Sequence, residues 1–232
     1  YRSIMEKFPE IPIGYLRMAS LNARMKDKAA IATVLERGLK RNPSSKILLT
    51  ALVQALIAQK RFDEGAAACE GFLAANGEDA TAYNLLGFVL IARKAYPEAE
   101  KMLKRAIALQ PMAPAIHNNL ARLYLVQGKK QEAVDNLEAT IARQPDSASA
   151  YLTLAMIHER DKEYEKAIKV YERALKQSPE LWFAMNNLAF LISETSQDLE
   201  DLKGGLAMAE KALADRPEDH SALDTVGWLH YR

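Results

Sequence analysis

Between Gly77 and Pro111 the apolar residues recur three, four and seven positions apart, first as Tyr83, Leu86, Gly87 and Leu90, then as Ala99, Leu103, Ala106 and Ile107. Each set falls on one face of a helix. Pro97 opens the second helix, because a first-turn proline lacks only an amide that has no intrahelical acceptor. Pro111 stands just past its end, where no helix continues. The stretch therefore reads as two helices joined by a tight turn.

The same phrase returns along the chain. His117, Leu120, Ala121 and Tyr124 precede Gly128, a glycine where a helix ends in a left-handed residue, and Ala133, Leu137 and Thr140 then lead to Pro145. Tyr151, Leu154, Ala155 and His158 are followed by Ala167, Tyr171, Ala174 and Pro179. Upstream, Leu49, Leu52, Val53 and Leu56 pair with Gly65, Cys69, Phe72 and Gly77, and Tyr15, Met18, Ala19 and Asn22 pair with Ile31, Leu35, Gly38 and Pro43. Prolines at 9, 43, 111, 145 and 179, with glycine in the slot at 77, mark a constant step of about 34 residues or a multiple of it. A fixed period of this length means one supersecondary unit copied end to end, read as a surface more than as a pocket. The expected organisation is a single array over 1–232, with units at about 12–45, 46–79, 80–113, 114–147, 148–181 and 182–219. Residues 1–11 read as the tail of a preceding unit, and 220–232 as the first helix of a truncated one.

The step from Pro179 to Pro217 exceeds the period by four positions. Trp182, Met185, Leu188, Ala189 and Ile192 begin a normal first helix, and Ala209 and Ala212 close the second. The surplus lies within Ser193 to Gly205, where Thr195-Ser196-Gln197-Asp198 predicts a lengthened inter-helix turn anchored by Leu199 and Leu202. The final helix carries Val226, Trp228 and Leu229 with nothing after it, whereas solenoid ends usually bear polar caps. Both ends thus suggest a piece of a longer array.

These residues resemble the tetratricopeptide repeat, whose pattern over roughly 34 residues is an aromatic, Leu-Gly, Tyr, Ala, a large residue, Ala and Pro. The unit holding Gly87 matches best, with Tyr83 in the tryptophan slot. The resemblance implies an all-α, right-handed superhelical solenoid of antiparallel helix pairs. Gly87, Ala121, Ala155 and Ala189 would then sit where the two helices of a unit come closest, opposite Ala99, Ala133 and Ala167. A larger side chain there would overpack the crossing by roughly 1–3 kcal/mol.

Composition narrows the function. The 232 residues are 49% hydrophobic, enough for a sizeable core, and 31 basic against 30 acidic residues leave a net charge of +1. That balance gives no reason to expect nucleic acid or an anionic membrane as partner. No apolar run approaches the roughly 18 residues of a spanning helix, and Arg2, Glu6 and Lys7 interrupt any leader-like stretch, so no membrane insertion is expected. Cys69, the one cysteine, sits among Ala66, Ala67 and Ala68 and reads as a small core residue. It fits the cytoplasm and the periplasm or envelope equally.

No catalytic residue, cofactor site or metal site is expected. The histidines at 117, 158, 220 and 230 form no i, i+4 pair, and His117 and His158 occupy packing slots of the repeat. Gly204-Gly205 follows no strand and is no phosphate loop. Glu98, Glu100, Glu132 and Glu165 lie near helix starts, where they suit the dipole.

The resemblance implies that first helices line a concave groove that takes a ligand. The groove-facing slots hold Thr50 and Gln54; Asn84 and Phe88; Asn118, Asn119 and Arg122; Thr153, Met156 and Arg160; Asn186, Asn187 and Phe190; and Asp224, Thr225 and Trp228. Of these, Asn84, Phe88, Asn118, Asn119, Arg122, Met156, Asn186, Asn187 and Phe190 are the candidate peptide-binding residues. Asparagine amides can pair with an extended peptide backbone whatever its sequence, or else bond within the array. The family's carboxylate clamp is disfavoured, because its lysine slots hold Thr50, Asn84, Asn118 and Leu152. The run Ala222-Leu223-Asp224-Thr225-Val226-Gly227-Trp228 resembles a phrase of bacterial members, some of them linked to the envelope and to exopolysaccharide or protein-sorting systems. The reading that follows is a non-enzymatic scaffold binding an extended peptide or partner protein. The competing readings are the recognition arm of a larger enzyme or secretion complex, and a homo-oligomer formed through exposed array ends.

Overall fold

The computed structural model describes residues 2–232, and all regular structure among them is α-helical. Tyr1, part of the expected leading tail, lies outside the described residues. The chain packs as two compact bodies divided between Lys129 and Lys130.

The first body contains α1 (Arg2–Lys7), α2 (Pro12–Arg24), α3 (Lys28–Arg41), α4 (Lys46–Ala58), α5 (Phe62–Asn76), α6 (Ala80–Ala92), α7 (Tyr96–Leu109) and α8 (Pro114–Val126). Consecutive helices pack antiparallel, and the first helices α2, α4, α6 and α8 also touch in succession. Pro12, Pro97 and Pro114 all stand in first turns. Tyr15, Leu35, Leu48, Leu52 and Leu56 make one core layer, and Val53, Cys69, Phe72, Leu86 and Val89 belong to the next. A third layer gathers Leu103, Ile116, Leu120 and Leu123. The Cys69 thiol is fully enclosed, and burial pushes its pKa up to about 12, so it stays protonated and inert.

The second body contains α9 (Lys130–Arg143), α10 (Ala148–Arg160), α11 (Tyr164–Gln177), α12 (Trp182–Thr195), α13 (Leu199–Asp215) and α14 (His220–Tyr231). Its core includes Leu137, Leu154, Tyr171 and Leu188, with Ala189, Ala209 and Leu229 packed together at α12–α14.

In the α2–α3, α4–α5, α6–α7 and α10–α11 hairpins the turn is three residues long and its middle residue is left-handed, Lys26 (φ 59°), Lys60 (φ 60°), Lys94 (φ 63°) and Lys162 (φ 59°), and Gly128 (φ 75°) takes the same conformation just after α8. Neighbouring members of this set stand one repeat period apart. Each closes the preceding helix with two backbone bonds, for example Lys94 N–H to the Ile91 carbonyl (3.0 Å) and Ala95 N–H to the Leu90 carbonyl (2.9 Å). Glycine serves this conformation at 128, as its place after α8 predicts, whereas the other four positions carry lysine. A β-carbon there costs roughly 1–2 kcal/mol, offset in part by placing a cation at a helix C-terminus.

The surplus before Pro217 is not accommodated as expected. The turn between α12 and α13 is again three residues, Ser196–Asp198, and the surplus lengthens the helices instead. Relative to α6 and α7, α12 gains one residue and α13 three. Asp198 accounts for this, because its carboxylate caps the start of α13 at the Glu200 (2.8 Å) and Asp201 (3.1 Å) amides. Leu199 is 65% exposed and anchors nothing, whereas Leu202 does pack on the α12–α14 core.

Candidate functional site

In the first body, α6 and α8 bring four of the candidate residues together. Asn119 Nδ2 donates to Asn84 Oδ1 at 2.8 Å, a bond between adjacent repeats. The Arg122 guanidinium lies 5.0 Å from the centre of the Phe88 ring, a cation–π distance. Asn118 is half-buried and its Oδ1 has no partner. Thr50, on α4, turns its hydroxyl to its own helix at the Lys46 carbonyl (2.8 Å). A larger hollow of about 970 Å³ lies among α1, α2 and α3, lined by Met5, Met18, Leu21 and Met25, and none of the candidate residues lines it.

In the second body, α12 and α14 form a groove of about 470 Å³ lined by Asn186, Asn187, Phe190, Asp224, Thr225 and Trp228. All six were legible as groove slots from helical spacing. Phe190 is 44% exposed and Trp228 40% exposed, so both present ring surface to solvent. The Trp228 indole is held by a bond from Nε1 to Glu194 Oε1 (2.8 Å) and stacks on Tyr231 at 5.3 Å. Glu194 was missed by the sequence reading, although it stands one repeat period before Trp228. Met156, on α10, is 57% exposed and does not line this groove. Thr153 and Thr225 bond their own helices, at the Ser149 and Ser221 carbonyls (both 2.9 Å).

The asparagines therefore work partly for the array. Asn187 Nδ2 donates to the Tyr171 hydroxyl (2.9 Å), which donates in turn to Glu159 Oε1 (2.6 Å). Burial and the Glu159 carboxylate both push the Tyr171 pKa up, so the phenol keeps its proton. Asn186 is 3% exposed; its Nδ2 leans on Asn187 Oδ1 at 3.4 Å, and its Oδ1 has no partner. Asn118 and Asn186 occupy the same slot two periods apart, and both leave the amide oxygen unpaired. Away from the groove, Asn42 and Asn76 donate to the Pro9 (3.1 Å) and Pro43 (3.0 Å) carbonyls, tying each helix end to the preceding repeat.

The buried histidines are structural. His117 Nε2 bonds the Pro111 carbonyl at 2.9 Å, and His158 Nδ1 lies 2.7 Å from Glu163 Oε2. Glu163 also meets Lys130 (3.0 Å) and Lys166 (3.1 Å). The bonds from His158, Lys130 and Lys166 hold its carboxyl at about 2, below the ordinary 4.5. A folded-state pKa lower than the unfolded one stabilises the fold above the unfolded value, and this is lost as pH falls from 4.5 through about 2. Glu163→Gln is accordingly expected to flatten the decline in urea midpoint across that window. A decline as steep as that of the unsubstituted chain would refute this role for Glu163. Among the described residues no cluster of His, Cys, Asp and Glu could hold a metal ion. No helix among them is long and apolar enough to cross a membrane.

Fold and surface together define a class: helix-hairpin repeats whose first helices present mixed amide and aromatic faces. The family model of the tetratricopeptide repeat matches residues 27–80, 50–114, 92–135 and 118–181, and the chain belongs to that family. No curated protein matches the sequence. Among solved structures, a chain of the APC/C hetero-tetramer Cut9–Hcn1 is similar at 14% identity and a TM-score of 0.59, over 98% of this chain and 44% of that one. This chain thus spans less than half of that relative. A thermophilic tetratricopeptide protein of Thermus thermophilus is similar at 19% identity and a TM-score of 0.60, over 78% of this chain and 99% of that one. PilF of Pseudomonas aeruginosa follows at 18% identity and a TM-score of 0.56, over 92% and 95%. At these identities the likeness is one of fold.

Proposed function

We propose that the chain is a non-enzymatic interaction scaffold that holds an extended segment of another protein against its first helices. The observation that carries this is the α12–α14 groove, where Phe190 and Trp228 offer ring surface beside the amides of Asn186 and Asn187. Aromatic anchors beside polar groups are the usual composition of a recognition surface. The Arg122–Phe88 and Asn119–Asn84 cluster on α6 and α8 supports a second contact region in the first body. The run from Ala222 to Trp228 supports placing the chain among bacterial, envelope-associated members of the family. The reading of 1–232 as one continuous array belongs to the same proposal.

Random peptides selected by display on the full chain provide the test. Selected peptides are expected to bind Phe190→Asp about tenfold more weakly or worse, and to bind Ala207→Asp, at an exposed position of α13, like the unsubstituted chain. Equal binding to Phe190→Asp, or no selectable peptide, would remove the groove reading.

A further inference from the structure

The run from Ala222 to Trp228 divides by chemistry. Ala222 and Thr225 are buried, the latter with its hydroxyl bonded to its own helix, and both serve packing. Asp224 and Trp228 face the groove, one helical turn apart on α14. Asp224 is exposed and, among the described residues, makes no ion pair. It is the one charged residue lining this groove, and the remaining lining groups are amides, hydroxyls and two aromatic rings. A second carboxylate, Glu194, accepts the bond that fixes the Trp228 indole. The nearby cation Arg232 is turned away to the carbonyls of Ser193 and Ser196 at the end of α12. Asn186, beneath the groove, keeps an amide oxygen without a donor. The groove therefore carries negative charge, acceptor capacity and π-faces, with no cation among its lining residues.

We infer that the α12–α14 groove selects a segment presenting a lysine or arginine next to an apolar side chain. This rests on the groove reading above and names the chemistry of its ligand. The cation pairs with Asp224 and lies against the Trp228 face, while the apolar neighbour packs on Phe190. A backbone or side-chain N–H of the segment turns the Asn186 amide outward and supplies its missing donor.

The experiment is a positional-scanning library of end-blocked peptides measured by fluorescence polarisation on the full chain. One position is expected to prefer lysine or arginine over alanine by about tenfold, an increment of the size a charge-assisted bond supplies. Asp224→Asn should erase that preference, and Asp224→Lys should turn it toward glutamate or aspartate. Peptides that bind without a basic preference, or whose preference survives both Asp224 variants, would overturn the inference and leave the groove reading intact. Peptides whose binding ignores Phe190→Asp, or a library with no binders, would overturn both. Asp224 lies on the exposed face of α14, and unchanged helical circular dichroism would verify that each variant is folded.

Discussion

Replacing Gly77 by proline is expected to destabilise the first body by about 3 kcal/mol, although proline ends most other repeats. The reason is local geometry. Before Pro43, Pro111, Pro179 and Pro217 the helix stops one residue early, and Asn42, Gln110, Ser178 and Arg216 share φ of −132° to −140° and ψ of 68° to 86°. That non-helical geometry suits a residue preceding proline, for which the helical region is disfavoured. In the Gly77 unit α5 continues through Asn76, and Gly77 takes φ 79°, ψ −160°, a region almost reserved for glycine. Its N–H donates to the Leu73 carbonyl at 2.8 Å. Proline would remove that donor and lock the backbone in the ordinary negative-φ region, opposite in sign to what this position adopts. It would also force Asn76 out of the helical region, at the expense of the Asn76 bond to Pro43. Gly77→Ala keeps the donor and should cost less, about 1–3 kcal/mol, because a β-carbon at 77 meets nothing within 4 Å and only the dihedral is strained. Hydrogen exchange of α5 and α6 amides would measure both. A proline variant as stable as the parent would contradict this account of the repeat end.

The crossing of α6 and α7 should show strong coupling. A β-carbon on Gly87 would lie 2.7 Å from Leu103 Cγ and 2.8 Å from Leu103 Cδ2, with the Ala99 carbonyl at 3.4 Å. Gly87→Ala is expected to cost about 1–2 kcal/mol net, since overpacking outweighs the gain in helix propensity of about 1 kcal/mol. Leu103 is fully buried, and Leu103→Ala should cost about 2–5 kcal/mol. The double variant should lose less than the sum, by about 1–2 kcal/mol, because the space vacated by Leu103 receives the new methyl. Urea unfolding of the four proteins closes the cycle. Simple additivity would mean that Leu103 is not what excludes a side chain at 87.

The repeat register was legible because it rests on covalent facts: where proline can stand, and which positions a helix turns to one side. Pro97 marks a helix start for that reason. The same register sorted Phe190, Asp224 and Trp228 onto one groove. What it could not convey was partner choice. Asn119 meets Asn84 because an asparagine stands in the preceding unit, whereas the slot equivalent to Asn84 beside Asn187 holds Leu152, and Asn187 turns to Tyr171 instead. Alanine at 119 and 187 together would therefore disturb the array as well as a ligand, which makes Phe190 the cleaner probe. The surplus before Pro217 was misassigned to the turn because Thr195 to Asp198 is polar. Capping by Asp198 moved the helix start, and polarity alone does not distinguish a turn from a capped first turn.

The left-handed turns make the molecule its own control. Lys26, Lys60, Lys94 and Lys162 stand in the conformation that Gly128 adopts, each closed by the same pair of backbone bonds. The energetic effect of a β-carbon in that conformation is usually compared between different proteins, where context differs. Here five replicates sit in one chain, and exchanging lysine and glycine among them separates the dihedral contribution from everything around it.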